Sequence, residues 1–379
     1  RLGDYIQEYS VKNKDDENIS VYSVTNTKGF CKDYFGKEVA SKDKTTYKIV
    51  PYGYFAYNPS RINVGSVDWQ RKEKKVIVSP LYNVFSVSPN LERQYLYYYL
   101  KSDFVLQRIK AVATGSVRDN LKLSMLYEFP IELPKLENQR KIVKILDKVS
   151  DVIEKKEQEL EQLETLVKSR FVELFGDPIK NPKGWEVVKL SECLERIDNG
   201  KSFTCDSNAR EGVFPAILKL SAATYGDYRP YENKALLDEK QFVESVEVHR
   251  GDLLFTRKNT PDLVGMAAYV FETPEKLMMP DLIFRLVTNE RMTPTFLWQL
   301  INNREFRPAI QGISGGSAKS MSNISKERLK NIEVICPPIS EQKKLEGVLE
   351  QVDKSKSKIQ KSLEETQLLF DSLMQKYFG

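Results

Sequence analysis

An internal duplication constrains what this chain can fold into more than any other feature of its sequence. Residues 129–176 align without a gap with residues 332–379, at a constant offset of 203 positions. A repeat of this length indicates that the chain is built from two copies of one structural unit. Matched pairs include Pro134 with Pro337, Gln139 with Gln342, Leu146 with Leu349, Leu160 with Leu363, and Phe175-Gly176 with Phe378-Gly379.

The correspondence continues upstream of the gapless segment, with small gaps. Further matched positions are Asn120-Leu121 with Asn323-Ile324, Tyr95-Leu96 with Phe296-Leu297, Gly53 with Gly251, and Arg1-Leu2 with Lys189-Leu190. A chain of 379 residues is also too long for one ordinary hydrophobic core. We therefore expect a globular module followed by a long helix, with this pair of elements repeated once.

Each gapless segment has the apolar spacing of a long amphipathic helix. In the first copy, apolar residues recur every three or four positions, and no Gly or Pro interrupts the run from Leu136 to Phe175. About 40 residues at about 1.5 Å each give a helix of roughly 60 Å, which Gly176 and Pro178 then end. The narrow apolar stripe favours pairing of the two long helices with each other. Antiparallel pairing follows if the modules sit at opposite ends, since each helix then runs from its own module towards the other. The alternative is that each helix packs only on its own module.

The sequence outside the long helices indicates a mixed α/β structure. Short β-branched or aromatic runs predict strands at 76–78, 85–87, 253–255 and 282–284. One helix is expected in each module, around 95–110 in the first and 295–311 in the second.

These elements predict an α+β fold with two similar mixed α/β domains. Two long antiparallel coiled-coil helices join the domains, and the whole is expected to be pseudo-twofold symmetric. The predicted boundaries are 1–134 for the first module, 135–180 for the first long helix, 181–337 for the second module and 338–379 for the second long helix.

Composition disfavours several classes of protein. The only histidine is His249, and the four cysteines are widely spaced without a CxxC pair. These counts argue against zinc sites, a disulfide framework, and Ser-His or Cys-His catalysis. No run approaches about 18 consecutive apolar residues and no secretory leader is visible, so we expect a cytoplasmic protein without a membrane span.

The charge is unevenly divided between the two modules. Residues 1–128 carry 20 basic and 14 acidic side chains, whereas residues 177–331 carry 22 and 21. A mild basic excess suits contact with a few phosphates, although many ordinary cytoplasmic proteins have one too.

Polar loops in both modules carry residue types that contact nucleic acids. Loops rich in Gly, Ser and Thr donate backbone and hydroxyl hydrogen bonds to phosphates, and Arg, Lys and Asn read base edges. An equally consistent interpretation is that these loops are plain surface connections. The candidate DNA contacts are Arg61, Ser116 and Arg118 in the first module, and Arg257, Lys258, Ser317 and Lys319 in the second.

Familiar catalytic signatures are absent from the sequence. It contains neither GxGxxG nor GxxxxGK[ST]. The segment Asn58-Pro59-Ser60-Arg61 lacks the second proline and the aromatic residue of an adenine-methyltransferase loop. Asp238-Glu239-Lys240 is better explained as a solvated turn than as a nuclease motif, and His249 is expected to be structural. We predict no catalytic residue, no metal site and no cofactor in this chain.

The repeated segments resemble one protein family. Residues 133–142 read LPKLENQRKI and residues 336–345 read CPPISEQKKL, so each long helix opens near a proline and a Gln-Arg/Lys-Lys motif. Together with the doubled modules, the stretch from Gly251 to Arg257 and the Phe-Gly helix ends, these motifs resemble the DNA specificity subunit of type I restriction-modification systems. The resemblance extends over essentially the whole chain.

The resemblance implies a function for each part of the chain. Each module would be a target recognition domain that reads one half of a split site in double-stranded DNA. The paired helices would fix the spacer and dock two methyltransferase subunits, which would hold S-adenosylmethionine. Restriction subunits would then join to translocate DNA and cleave it. This chain would be non-catalytic, and its two diverged modules would read unlike half-sites.

The first module departs from the pattern of the second. It has Tyr54-Phe55-Ala56-Tyr57-Asn58 where the second has Asp252-Leu253-Leu254-Phe255-Thr256, so the sequence does not identify its equivalent of Arg257. Two other functions stay open at this point. The chain is either a coiled-coil scaffold for protein assembly without DNA readout, or the specificity portion of a fused restriction enzyme of the type II kind.

Overall fold

A computed structural model of the chain describes residues 1–32, 43–113, 120–315 and 321–379. Contacts divide the chain into two compact units, each containing one globular module and parts of both long helices. The first unit comprises Arg1–Glu157 and Lys361–Gly379, and the second comprises Gln158–Gln360.

The first unit is organised around a four-stranded antiparallel sheet. Its strand order is β1-β8-β5-β6, and the pairs β2-β3 and β4-β7 accompany it. In chain order the elements are β1 (Ile6–Glu8), β2 (Ser23–Thr25), β3 (Gly29–Cys31), β4 (Lys48–Pro51), β5 (Phe55–Tyr57), β6 (Val67–Trp69), β7 (Lys75–Val78), β8 (Asn83–Val87), α1 (Arg93–Lys101), α2 (Asp103–Ala113), α3 (Leu123–Tyr127) and the long helix α4 (Leu136–Phe175).

The central strand β5 faces a different core on each side of the sheet. Phe55 and Tyr57 pack in a cluster with residues of α1 and α2. Ala56, between them, packs in a second cluster with residues of β2, β3, β4 and β7. This division follows from the two-residue period of a strand, which sends successive side chains to opposite faces.

The second unit repeats the four-stranded sheet, in the order β10-β17-β13-β15. A three-stranded sheet, β12-β11-β16, and the pairs β14-β18 and β19-β9 complete it. Its elements are β9 (Val187–Lys189), β10 (Leu194–Asn199), β11 (Ala216–Leu218), β12 (Asn233–Ala235), β13 (Leu253–Thr256), β14 (Lys258–Asn259), β15 (Ala267–Tyr269), β16 (Leu277–Met278), β17 (Ile283–Thr288), α5 (Pro294–Asn302), α6 (Arg307–Gly312), β18 (Ser322–Asn323), α7 (Lys326–Lys330), β19 (Glu333–Ile335) and the long helix α8 (Ile339–Phe378).

Around strands β5 and β13 the two sheets have the same register. The residue that opens β5 and the residue that opens β13 each pair with one residue on either side, and these partners occupy matching positions. The pairs are Phe55 with Phe85 and Trp69 in the first unit, and Leu253 with Leu286 and Tyr269 in the second. The duplication read from the sequence is therefore a duplication of structure. Three of the four predicted strands are confirmed, and the fourth begins at Ile283, one residue later than expected.

The prediction of a single helix at 95–110 and at 295–311 is wrong, because each module has two short helices there. Ser102 and Asn303 interrupt them with extended backbone angles. Each side chain then accepts a hydrogen bond from a following amide: Ser102 Oγ from Val105 at 3.4 Å, and Asn303 Oδ1 from Glu305 at 2.9 Å. Such local bonds compete with continuation of a helix.

The long helices run antiparallel within each unit. In the first unit, Leu146 of α4 packs in one cluster with Phe378 of α8, and farther along α4 Lys156 Nζ donates to Ser362 Oγ at 2.5 Å. In the second unit, Lys356 Nζ lies 3.3 Å from Glu164 Oε1. The antiparallel pairing is confirmed, and the alternative in which each helix packs only on its own module is wrong.

The last residue of each long helix is a phenylalanine that packs against an aromatic residue of the unit in which the helix ends. Phe175, at the end of α4, lies with its ring centroid 4.8 Å from that of Phe296 in the second unit. Phe378, at the end of α8, lies 5.0 Å from Tyr95 in the first unit. Both phenylalanines are buried. Each helix therefore begins in one unit and finishes in the core of the other.

A buried glutamine joins the start of α4 to the first module. Gln139 has no exposed surface. Its Nε2 donates to the carbonyl oxygens of Asn90 at 3.0 Å and Pro134 at 2.8 Å, and its Oε1 accepts from the amide of Glu92 at 2.8 Å. The amide group is satisfied without water, as a buried polar group requires.

The second unit repeats this arrangement with Gln342, which is also completely buried. Its Nε2 donates to the carbonyl oxygens of Arg291 at 2.9 Å and Pro337 at 2.7 Å, and its Oε1 accepts from the amide of Thr293 at 2.8 Å. The identity of Gln139 and Gln342 in the sequence thus corresponds to the same three backbone hydrogen bonds in both copies, and Gln342 Oε1 also accepts from Thr293 Oγ1 at 3.4 Å.

Replacing Gln342 by Ala is expected to lower the free energy of unfolding by about 2–4 kcal/mol, because it leaves the amide of Thr293 and the carbonyl of Pro337 without their hydrogen-bond partner. Chemical unfolding followed by circular dichroism measures the change. Lys343→Ala is the matched control, since Lys343 is the exposed next residue of α8, and it should change stability by no more than about 0.5 kcal/mol. Equal effects of the two substitutions would contradict the anchoring role.

Gly347 offers a test in the opposite direction. It is exposed within α8, and an added Cβ would meet nothing within 4 Å. Gly347→Ala should therefore raise the free energy of unfolding by about 0.5–1 kcal/mol, because alanine loses less backbone entropy in a helix. Gly200→Ala should be destabilising in the same assay, since its Cβ would lie 2.0 Å from the carbonyl oxygen of Pro280. A stability loss for Gly347→Ala would contradict the helical placement.

Candidate nucleic-acid interface

Strand β14 of the second module pairs with residues that follow the candidate segment 316–320 in the sequence. Lys258 and Asn259 of this strand pair with Asn323 and Ser322 of β18. Gly315 and Asn323 also exchange backbone hydrogen bonds at 2.8 and 2.9 Å. Gly315 and Asn323, which flank the undescribed segment, therefore lie together next to Lys258. Residues about 65 positions apart in the sequence are thus brought together at this strand.

Arg257 is held in position by an aromatic ring and an amide. Its Cζ lies 5.0 Å from the ring centroid of Phe284, a distance at which a cation is attracted to the ring face. Its Nε and Nη2 lie 3.4 and 3.5 Å from Asn323 Oδ1. Lys326 Nζ lies 5.6 Å from the centroid of the same ring. A guanidinium has five N–H donors, so this one amide oxygen leaves most of its hydrogen-bonding capacity for a ligand.

The structure identifies the first module's equivalent of Arg257, which the sequence does not. In the second module the amide of Ile324 donates to the carbonyl of Arg257 at 2.8 Å, and in the first the amide of Leu121 donates to the carbonyl of Pro59 at 3.1 Å. Leu121 and Ile324 are matched residues of the duplication. Pro59 therefore stands in the place of Arg257, and Arg61 in the place of Asn259.

Arg61 is exposed at the start of a short 3-10 helix, Ile62–Val64. Its carbonyl accepts from the amides of Val64 and Ser66, both at 3.2 Å, which fixes the backbone of the turn. Within the described ranges, its guanidinium has no hydrogen-bond or ion-pair partner. The first module thus presents a free cation one or two positions beyond the place where the second presents Arg257 and Lys258.

The strand before this turn is tied to the same loop. Tyr57 is buried, and its hydroxyl donates to the carbonyl of Leu121 at 3.0 Å and accepts from Asn83 Nδ2 at 2.8 Å. Burial raises the pKa of Tyr57, so the phenol stays protonated and keeps its donor. Leu121 therefore holds the turn at Pro59 and Arg61 against the central strand β5.

The remaining candidates lie in segments for which the structure gives no description. Ser116 and Arg118 fall within 114–119, and Ser317 and Lys319 fall within 316–320, so both pairs are outside the described residues. The positions of Leu121, Gly315 and Asn323 indicate where these segments are attached. All four residues stay predictions.

Sequence reasoning missed Asn259 and a tyrosine-containing loop at 224–231. Asn259 is 8% exposed, and its Nδ2 donates to Thr224 Oγ1 at 3.2 Å. In this loop Tyr225 is 55% exposed and Tyr231 67% exposed. The spacing of Tyr225, Tyr228 and Tyr231 around Arg229 is an available sequence signal, but nothing local connects it to Lys258 and Asn259.

The structure also shows the surroundings of the other residues that were considered for chemistry. No cluster of three His, Cys, Asp or Glu suited to a metal occurs among the described residues. His249 is exposed, with its Nε2 3.9 Å from Glu247 Oε2. Asp238 accepts from the amide of Lys240 at 2.9 Å and caps a short 3-10 helix, in keeping with a solvated turn. In the described part of the chain, no helix has the length and apolar character needed to cross a membrane.

Two cysteine thiols lie close together in the second module. The Sγ atoms of Cys193 and Cys336 are 3.8 Å apart, and all four cysteines are free. Cys336 Sγ also lies 3.6 Å from the carbonyl oxygen of Arg291. The hydrogen bond from Cys193 lowers the pKa of Cys336 to about 7. Both thiols are buried in the core of the second unit.

Comparison with known proteins identifies a family. The family model described as "Type I restriction modification DNA specificity domain" matches residues 3–165 and 182–366, which together are most of the chain. Among curated proteins, the EcoEI specificity subunit of Escherichia coli is 31% identical over 52% of this chain and 34% of its own length. The MjaIX specificity subunit of Methanocaldococcus jannaschii is 34% identical over 29% of this chain and 28% of its own length. The matched region thus spans about a third of either relative.

Solved structures show the same fold. The type I restriction-modification S subunit from M. genitalium aligns with a TM-score of 0.60 at 15% identity, covering 100% of this chain and 95% of that one. A chain from a structure described as concerning complex assembly and conformational transition of the type I R-M system aligns with a TM-score of 0.53 at 19% identity, covering 100% and 96%.

Proposed function

Since the chain belongs to the type I restriction-modification DNA specificity family, we propose that it reads a bipartite DNA target with two unlike halves. Each module would bind one half-site through the loops around Arg61 in the first unit and around Arg257 and Lys258 in the second. Phosphate contacts would position each module, and contacts to base edges would specify the sequence.

One observation carries this proposal: equivalent positions on the same framework present different side chains. Pro59 stands where the second module has Arg257, although the same backbone hydrogen bond, from Leu121 or its match Ile324, fixes both positions. Arg257 offers a planar fork of donors that suits guanine, whereas the side chain of Pro59 offers no hydrogen-bonding group. Two modules with the same backbone arrangement but different side chains at this position are suited to two different half-sites.

The paired helices would fix the spacer between the half-sites and dock two methyltransferase subunits. Leu166 and Leu369 support a pair of identical partners, because they are matched positions of the duplication. They are 50% and 52% exposed, and other exposed apolar side chains lie on the same helices, at Ile145, Val152, Val172 and Leu368. Equal apolar groups at equivalent places suit two copies of one protein. Those partners would hold S-adenosylmethionine, and restriction subunits would supply translocation and cleavage, so this chain would be a non-catalytic cytoplasmic subunit.

The alternative is a coiled-coil scaffold without DNA readout. The salt dependence of DNA affinity separates the two functions. A DNA-binding protein neutralises phosphates and releases counterions, so its affinity falls as salt rises, whereas a protein scaffold has no such dependence. The fixed cation at Arg257 and the free one at Arg61 favour DNA binding.

The testing experiment is to co-express the chain with a methyltransferase subunit encoded beside it and to map methylated adenines in the host genome by single-molecule sequencing. The expected result is one bipartite motif with two different halves and a constant spacer. A stable complex that leaves no such mark would refute the proposal and favour the scaffold.

Arg257→Ala is expected to relax or weaken recognition of one half-site only, by about 10- to 100-fold, because a good side-chain contact to a base is worth about 1–3 kcal/mol. The methylation map of the variant measures the change. Arg304→Ala provides the control, since Arg304 is exposed in the same module between α5 and α6. Equal loss at both halves would show that the modules do not read independently.

A further inference from the structure

The loop at 224–231 in the second module presents aromatic rings and a cation to solvent. Tyr225 and Tyr231 are more than half exposed. Tyr228 instead points inward, where its hydroxyl lies 2.7 Å from Thr273 Oγ1. The inward tyrosine anchors the loop, while the outward tyrosines have no core to fill.

Arg229 is stacked on one of these exposed rings. Its Cζ lies 4.5 Å from the ring centroid of Tyr225, and its Nε donates to Asp227 Oδ2 at 2.9 Å. The hydrogen bond to Asp227 raises the pKa of Arg229, so the guanidinium stays charged. Stacking and the single carboxylate hold the guanidinium plane in one orientation without using all of its donors.

The backbone of the loop is rigidly attached to the module. Trp298 Nε1 donates to the carbonyl of Gly226 at 2.8 Å, and the amide of Arg229 donates to the carbonyl of Ala222 at 2.9 Å. Gly226 has a φ of +91°, a conformation that glycine adopts at little cost. An arginine that is already fixed loses little conformational freedom when it binds, which favours affinity.

One buried hydrogen bond connects this loop to the candidate interface. Asn259 Nδ2 donates to Thr224 Oγ1 at 3.2 Å, and Thr224 Oγ1 in turn donates to the carbonyl of Leu220 at 2.7 Å. Asn259 directly follows Lys258 on strand β14. The loop therefore starts beside the strand that presents Arg257 and Lys258.

We propose that the loop at 224–231 is a second specificity element of the second module, in which Arg229 contacts the bases of its half-site and Asn259 positions the loop. This inference rests on the proposed function and adds residues that it does not need. A planar guanidinium held on an aromatic ring matches the O6 and N7 acceptors of guanine. In the first module Arg61 replaces Asn259, so the hydrogen bond between Asn259 and Thr224 has no counterpart from this position there. The proposed element therefore belongs to the second module.

The test uses the full chain co-expressed with its methyltransferase subunit, with the methylation map as the readout. Arg229→Ala should relax at least one base of a single half-site, with a loss of discrimination of about tenfold or more, and leave the other half unchanged. Arg229→Lys keeps the charge but not the planar fork, so it should relax the same base while total methylation stays near that of the wild type. Asn259→Ala should affect the same half-site more weakly.

Two further variants control for charge and for folding. Lys234→Ala removes an exposed cation from β12 of the same module and should leave the motif unchanged. Tyr225→Phe keeps the ring beneath Arg229 and should behave as the wild type, whereas Tyr225→Ala should behave as a weaker Arg229→Ala. Because Arg229 and Tyr225 lie at the surface, these variants are expected to fold.

The outcomes separate this inference from the proposed function. A wild-type chain that leaves no bipartite mark refutes the function itself. If the wild-type chain leaves a bipartite methylation motif, and Arg229→Ala leaves that motif as unchanged as Lys234→Ala does, only the further inference is overturned. A uniform fall in methylation with an unaltered motif would also overturn it, because a phosphate contact carries no sequence information.

Discussion

A buried glutamine amide at the first turn of each long helix is the interaction on which the architecture depends. Apolar packing alone allows a helix to slide or rotate against a sheet, because it has no preferred direction. Gln139 and Gln342 remove this freedom, since each makes three directional hydrogen bonds to backbone groups of the module and of the preceding segment. The direction in which each helix leaves its module is therefore set by hydrogen-bond geometry, in the same way in both copies.

The duplication also makes each module a reference for the other. The register of the main sheet, the glutamine anchors and the aromatic helix ends occur in both copies. The positions held by Arg257 and Pro59 share a backbone bond but not a side chain. Features that both modules share serve folding, or serve a contact that each module makes in the same way. Side chains that differ between the modules are available to distinguish two ligands.

Much of the fold could be predicted from the sequence, because its signals are local and periodic. The absence of Gly and Pro, with apolar residues every three or four positions, correctly gave α4 as Leu136–Phe175. The helix count failed at Ser102, where one short polar side chain bonds to a nearby amide and ends α1. The candidate site was predicted less completely. Contacts such as Asn259 with Thr224 join residues 35 positions apart and leave no spacing that a sequence can reveal.

The exchange of helix ends has a consequence for the history of the chain. Phe175 finishes in the second unit and Phe378 in the first, so neither module receives the end of its own helix. A polypeptide with one module and one long helix would be complete only as two copies exchanging their C-terminal turns. Joining two such copies end to end gives the present order of elements. The duplication thus supplies within one polypeptide what a single-module chain would need a second copy to provide, and it lets the two halves differ in sequence.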